Sequence, residues 1–150
     1  MNKVFFASSP FFKPLSPPFL EDWIVEVSLK EKARVGSVFF VPLKGKDLLF
    51  LNKKHLGHNH NTDVITFDYS KKNFVSGEVL FSVCDVKKNA LLFRSSVEDE
   101  FLRVMVHGFL HLLGYGDSEK KDAKIMRKKE DFYVALYYDL FHVKPVFKYV

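Results

Sequence analysis

The stretch Glu98-Asp-Glu-Phe-Leu-Arg-Val-Met-Val-His-Gly-Phe-Leu-His-Leu-Leu-Gly114 reads as the clearest helix in the chain. Glu98, Asp99 and Glu100 fill its first turn, where carboxylates suit the positive end of the helix dipole. An apolar body follows, and Gly114 stands just past the end, the place where glycine most often stops a helix. Upstream, Asp85 to Arg94 also reads as helix. Before it come two strands, Val64-Ile-Thr-Phe67 and Glu78-Val-Leu-Phe-Ser82, joined through the polar stretch Tyr69 to Gly77.

Further back, Lys46 to His55 reads as a helix ended by Gly57, and Ser37-Val-Phe-Phe-Val41 as a strand closed by Pro42. From Phe19 to Arg34 the apolar positions Leu20, Trp23, Ile24 and Val27 recur at helical spacing, with Gly36 as the stop. Val4 to Ala7 is a first short strand. The loop from Ser8 to Pro18 holds four of the six prolines and is the most linker-like piece. Downstream, Ser118 to about Phe141 is a long amphipathic helix whose packing stripe reads Met126, Phe132, Leu136 and Leu140. The order is β-α-β-α-β-β-α-α-α. Four strands in this order cannot alternate strictly with crossover helices, so the expected fold is α+β. It is a single domain over residues 1–150, with a four-stranded mixed sheet flanked by about five helices.

Composition narrows the function classes. At 150 residues, 47% hydrophobic and 27% charged, the chain is one domain's worth of ordinary globular sequence, which excludes intrinsic disorder. Its longest apolar run, Phe132 to Tyr138, is far short of the roughly 20 residues a membrane-spanning helix needs. The lone cysteine, Cys84, excludes a disulfide framework and a Cys-rich zinc module, and reads as a small buried apolar residue. Only four apolar residues follow Lys3, too few for a secretory signal, so the expected compartment is the cytoplasm. The net charge of +5 permits an anionic partner.

The chemistry lies at the end of the Glu98–Leu113 helix. His107 and His111, four residues apart, fall on one helical face one turn apart, the spacing that lets two imidazoles bind one ion. Gly114 breaks the helix and Tyr115-Gly116 turns the chain back, which places Asp117 as a third ligand. The same residues have plainer readings: two histidines satisfied by backbone carbonyls in a core, and an aspartate capping the next helix. Gly108 stands where a zinc protease of the H-E-x-x-H type requires its glutamate base, which counts strongly against proteolysis.

The run His107-Gly-Phe-Leu-His-Leu-Leu-Gly-Tyr115 closely resembles the signature of the YbeY family of bacterial metal-dependent endoribonucleases. Asn52 followed by Thr62-Asp-Val-Ile-Thr-Phe67, and Gly77-Glu-Val-Leu-Phe-Ser82, resemble two further segments of that family in the same order. The resemblance spans roughly residues 37–131 and implies an α+β fold. It also implies cleavage of single-stranded RNA in 16S ribosomal RNA 3′-end maturation and ribosome quality control, with the small ribosomal subunit as partner and a monomeric chain. It carries over His107 and His111 as catalytic metal ligands and Asp117 as the third ligand. One Zn2+ per chain is implied, other divalent ions being possible. The ion would activate a water against the phosphodiester.

Two positions depart from the family pattern. Asp117 replaces a histidine, a change that widens the choice toward harder ions such as manganese. Leu56 stands where many members carry an arginine that could grip phosphate. Lys53, Lys54, His58, His60 and Arg103 are the candidate RNA contacts in its place, and Asp63 and Glu78 are candidates for proton transfer. An alternative reading is a metal-stabilised RNA-binding ribosome-assembly factor without turnover. A third is a metal hydrolase of small substrates.

Overall fold

The protein is described by a computed structural model covering residues 3–56 and 63–149. Its elements begin with β1 (Lys3–Phe6), β2 (Phe12–Pro14), α1 (Pro17–Lys30), β3 (Arg34–Leu43) and α2 (Gly45–Leu56). They continue with β4 (Val64–Asp68), β5 (Phe74–Ser82), α3 (Val83–Leu92), α4 (Val97–Leu112), α5 (Lys120–Phe141) and β6 (Phe147–Tyr149). The main sheet has the order β1-β3-β5-β4. The first three strands run parallel and β4 pairs antiparallel with β5. Among the described residues the expected mixed sheet of four strands and the five helices are therefore present.

Strand alternation decides what each face does. Val4, Val38, Phe40, Val79, Phe81 and Val64 share one face and pack with Trp23, Ile24 and Val27 of α1 and Phe101, Met105 and Phe109 of α4. The opposite face carries Ile65 and Leu80, which Leu48 of α2 covers. Helix α4 lies unusually close to the sheet. A Cβ on Gly108 would come 2.4 Å from Cγ1 of Val79. Position 108 thus faces the sheet, and the glutamate of a zinc protease has no room there.

Four expectations need correction. Helix α1 ends at Lys30, with Lys32 at φ 58°, and Gly36 lies within β3. There a bulge brings the backbone against β5: Ser37 N–H donates to Ser76 Oγ at 3.0 Å, and a Cβ on Gly36 would sit 2.2 Å from that oxygen. The glycine serves a close approach rather than a helix stop. Second, the Ser8–Pro18 segment contains β2, which pairs with β6 from the chain's end. Phe12 and Phe147 from this ribbon are buried among Phe81 and Phe101. Burying each such ring contributes roughly 1.5–3 kcal/mol, which orders three-residue strands that pairing alone would not hold. Third, the buried stripe of α5 is Met126, Glu130, Tyr133, Val134 and Tyr137, whereas Phe132 and Leu140 are exposed. Cys84 is also exposed, in the first turn of α3, not buried.

Candidate metal centre and its cleft

Local rules build the end of α4. Ser96 caps its start, accepting from the Asp99 N–H at 3.1 Å. At the other end Gly114 has φ 105°, and two bonds close the reversal: Gly114 N–H to His111 O and Tyr115 N–H to Leu110 O, both 3.0 Å. This pair of bonds is a Schellman motif, with glycine at the left-handed position. The reversal brings the Tyr115 carbonyl back to His111 Nδ1 at 2.8 Å. It also carries Asp117 over the histidine face. The N-cap position of α5 is Glu119, whose side chain makes no capping bond, and not Asp117, so the plain capping role for Asp117 does not hold.

Three donor atoms meet. His107 Nε2 and His111 Nε2 are 2.9 Å apart, and Asp117 Oδ2 lies 3.3 Å from the first and 3.6 Å from the second. The far nitrogens are both occupied. A carbonyl oxygen can only accept, so His111 Nδ1 carries its proton and Nε2 its lone pair. His107 Nδ1 donates to Glu130 Oε2 at 2.6 Å. With neutral rings, two lone pairs and a carboxylate oxygen face one another, an arrangement that a shared proton or a divalent ion between them would relieve. A tetrahedral ion with bonds of 2.0–2.1 Å would set its donors about 3.3–3.4 Å apart. The observed separations bracket that value. Two imidazoles oriented by a carboxylate and a carbonyl, with one carboxylate oxygen beside them, are a donor set that fits Zn2+ or a similar divalent ion. Among the described residues these three form the one such cluster.

Electrostatics follow from burial and partners. Burial works against charge on His107, but the hydrogen bond and charge of Glu130, with Asp117 and Asp63 behind, outweigh it and raise its pKa. Glu130 is buried, which favours its neutral form, yet His107 and Arg103 hold it below the usual carboxylate range. Asp63 is pushed up mainly by burial. A second network holds the turn from outside. The half-buried Glu31 carboxylate, from the residue that caps α1, accepts from Tyr115 Oη at 2.6 Å, from Lys129 Nζ at 2.9 Å, and from Tyr133 Oη. Tyr115 thus binds His111 through its carbonyl and is itself tethered through its hydroxyl.

The cleft over the triad, about 330 Å³, is lined by His107, His111, Asp117 and Glu130, by Asp63 and Asn89, and by Phe93 and Arg127. Arg103 lines it too, but its guanidinium is taken by Glu130 at 3.1 Å and Asp131 at 2.8 Å, with Glu100 at 3.8 Å. What it does here is hold Glu130. Lys53 and Lys54 are exposed on α2 and do not line the cleft; Lys54 Nζ lies 5.6 Å from the Phe50 ring. Glu78, one step from Val79, faces the opposite side of the sheet from α4 and accepts from Tyr69 Oη at 3.2 Å. His58 and His60 lie outside the described residues, as does the Leu56 side chain.

Sequence reasoning missed Glu130, the Tyr115 carbonyl, Glu31, Phe93 and Arg127. One signal existed for Glu130: it occupies a position of the buried α5 stripe, where a carboxylate needs a partner. The others meet the site only through chain folding.

Residues 19–137 match the family model described as Endoribonuclease YbeY. The chain is 38% identical over 117 residues to "Endoribonuclease YbeY" of Flavobacterium johnsoniae, covering 78% of this chain and 84% of that one. It is 33% identical over 115 residues to the protein of the same name from Bacteroides fragilis, covering 77% and 83%. The solution structure of TM1509 from Thermotoga maritima superposes with a TM-score of 0.62 at 28% identity, covering 95% of this chain and 92% of that one.

Proposed function

Because the chain belongs to the Endoribonuclease YbeY family, we propose that it is a metal-dependent endoribonuclease that cuts single-stranded RNA. The proposed substrate is the 3′ end of 16S ribosomal RNA, within ribosome maturation and quality control on the small subunit. The proposed protein is a cytoplasmic monomer with one Zn2+. Among the described residues no helix is long and apolar enough to cross a membrane. The observation that carries the reading is the meeting of two imidazole lone pairs and a carboxylate oxygen beside an open cleft.

His107, His111 and Asp117 would hold the ion, which when bound supplies Lewis-acid chemistry to a phosphodiester. Glu130 and the Tyr115 carbonyl keep each ring's proton on Nδ1, so both Nε2 lone pairs stay aimed into the cleft. Glu130 draws charge toward His107 and raises its basicity. Asp63, at the cleft wall with its pKa raised by burial, is placed to take up a proton during attack. Arg127 on the rim offers positive charge to the RNA backbone. Asp117 in place of a third imidazole leaves manganese as a competing occupant.

The test uses purified protein of measured metal content and a labelled oligoribonucleotide carrying the 16S 3′ end. Cleavage that chelator abolishes, that zinc or manganese restores and that His111→Ala lacks is the expected result. RNA binding without any chelator-sensitive product would instead favour the non-catalytic assembly factor, the reading that Leu56 in place of the family arginine supports.

A further inference from the structure

Phe93 caps α3, its N–H bonded to Asn89 O and Leu91 O, so its ring is carried on a hydrogen-bonded helix end. The residue is 57% exposed, yet it lines the same cleft as His107, His111 and Asp117. Among the described residues no other aromatic ring packs against it. An uncovered aromatic ring on the wall of a polar cleft has a cost in water and a use with a flat ligand. Val64, Val86 and Val104 also line the cleft, as does the largely exposed Arg127, one nitrogen of which lies 3.6 Å from Glu130. At about 330 Å³ the cleft is the size of a small-ligand site, suited to one unpaired nucleotide rather than a duplex.

We propose that Phe93 is a stacking shelf for one nucleobase of the single-stranded RNA, next to the phosphate that lies over the triad, with Arg127 meeting the backbone charge. The inference rests on the RNA-cleaving reading and specifies how its substrate is gripped. Bases on aromatic faces are held without sequence readout, so the shelf selects for an unstacked, single-stranded nucleotide more than for a particular base.

The test separates base from backbone. A Phe93→Trp variant reports stacking by fluorescence, because the native Trp23 is fully buried and away from ligand. Chelator is present to prevent cleavage. A short oligoriboadenylate is expected to quench the introduced indole, and an abasic ribose-phosphate chain of equal length is not. Phe93→Ala is expected to bind the oligonucleotide about 5- to 150-fold more weakly and the abasic chain unchanged, while Phe93→Tyr keeps the discrimination. Arg127→Ala is expected to weaken both chains alike. Equal binding of both chains by the unmodified protein, or unchanged oligonucleotide affinity in a folded Phe93→Ala protein, overturns the shelf. The latter result leaves the exposed Leu91–Phe93 edge to a protein partner. Metal-dependent cleavage of the same oligonucleotide is scored separately. Cleavage without base discrimination removes the shelf alone; discrimination without cleavage keeps the shelf and removes the nuclease reading.

Discussion

Replacing Glu130 tests whether the cleft is a metal centre or a pair of histidines satisfied by ordinary hydrogen bonds. Its carboxylate is almost fully buried and accepts hydrogen bonds from His107 Nδ1 at 2.6 Å and Arg103 Nη1 at 3.1 Å. Glu130→Gln keeps an acceptor oxygen of the same reach but removes the charge that raises His107 basicity. Glu130→Ala removes both, leaving the His107 ring free to turn. Groups in this position relative to a metal ligand are typically worth 10–100-fold in affinity. We expect Glu130→Gln near the lower figure, about 1.4 kcal/mol, and Glu130→Ala near the upper, about 2.7 kcal/mol. Removing one partner of a buried ion pair costs roughly 3–5 kcal/mol when the other is stranded. Here Arg103 keeps Asp131 at 2.8 Å, so the loss of folding stability should fall below that range. The assay is competition for Zn2+ against a chelator of known affinity, with urea unfolding of the metal-free proteins run alongside. A folded Glu130→Ala protein that binds zinc as tightly as the unmodified chain, while His107→Ala does not bind, would refute the reasoning.

Other consequences are equally direct. Gly108→Ala places a methyl 2.4 Å from Val79 Cγ1 and should cost about 1–3 kcal/mol by overpacking, read as a lower urea midpoint with unchanged slope. Burial alone would raise the Glu31 pKa, but bonds from Tyr115, Tyr133 and Lys129 bring it below its ordinary value. Its contribution is therefore present above the unfolded carboxylate pKa of about 4.3 and lost as pH falls through the lower folded value. Glu31→Gln should then be less stable than the unmodified chain at pH 6 and nearly equal to it at pH 2, by urea unfolding; a difference that persists in acid would show that charge is not the cause. Asp117→His replaces a carboxylate donor by an imidazole and should shift preference from manganese toward zinc, measured by competition between the two ions. An unaltered ratio would mean that Asp117 is not a ligand.

The histidine face was legible in the sequence because it is made by short-range geometry. A four-residue spacing on a helix of 3.6 residues per turn sets two imidazoles together, and a glycine that alone tolerates φ near 105° turns the chain back over them. The strand runs of β3, β4 and β5 and the acidic start of α4 were readable for the same reason. The brief ribbon of β2 and β6 was not, since three residues carry no periodic signal and the burial of Phe12 and Phe147 joins opposite ends of the chain. The phase of α5 was misread because aromatic residues lie all round it. Which of them go inward depends on the helices they meet, and Trp23 Nε1 bonding the Tyr133 carbonyl at 2.8 Å marks the face that won.

Sequence alone thus determined the pair of facing histidines, the turn that follows them and the class of fold, all consequences of how neighbours along a chain are spaced. Tertiary structure decided what makes that pair usable. Glu130 reaches His107 across 23 residues and Glu31 reaches Tyr115 across 84. Such contacts depend on which helix faces survive the competition for burial, and that competition involves the whole molecule at once.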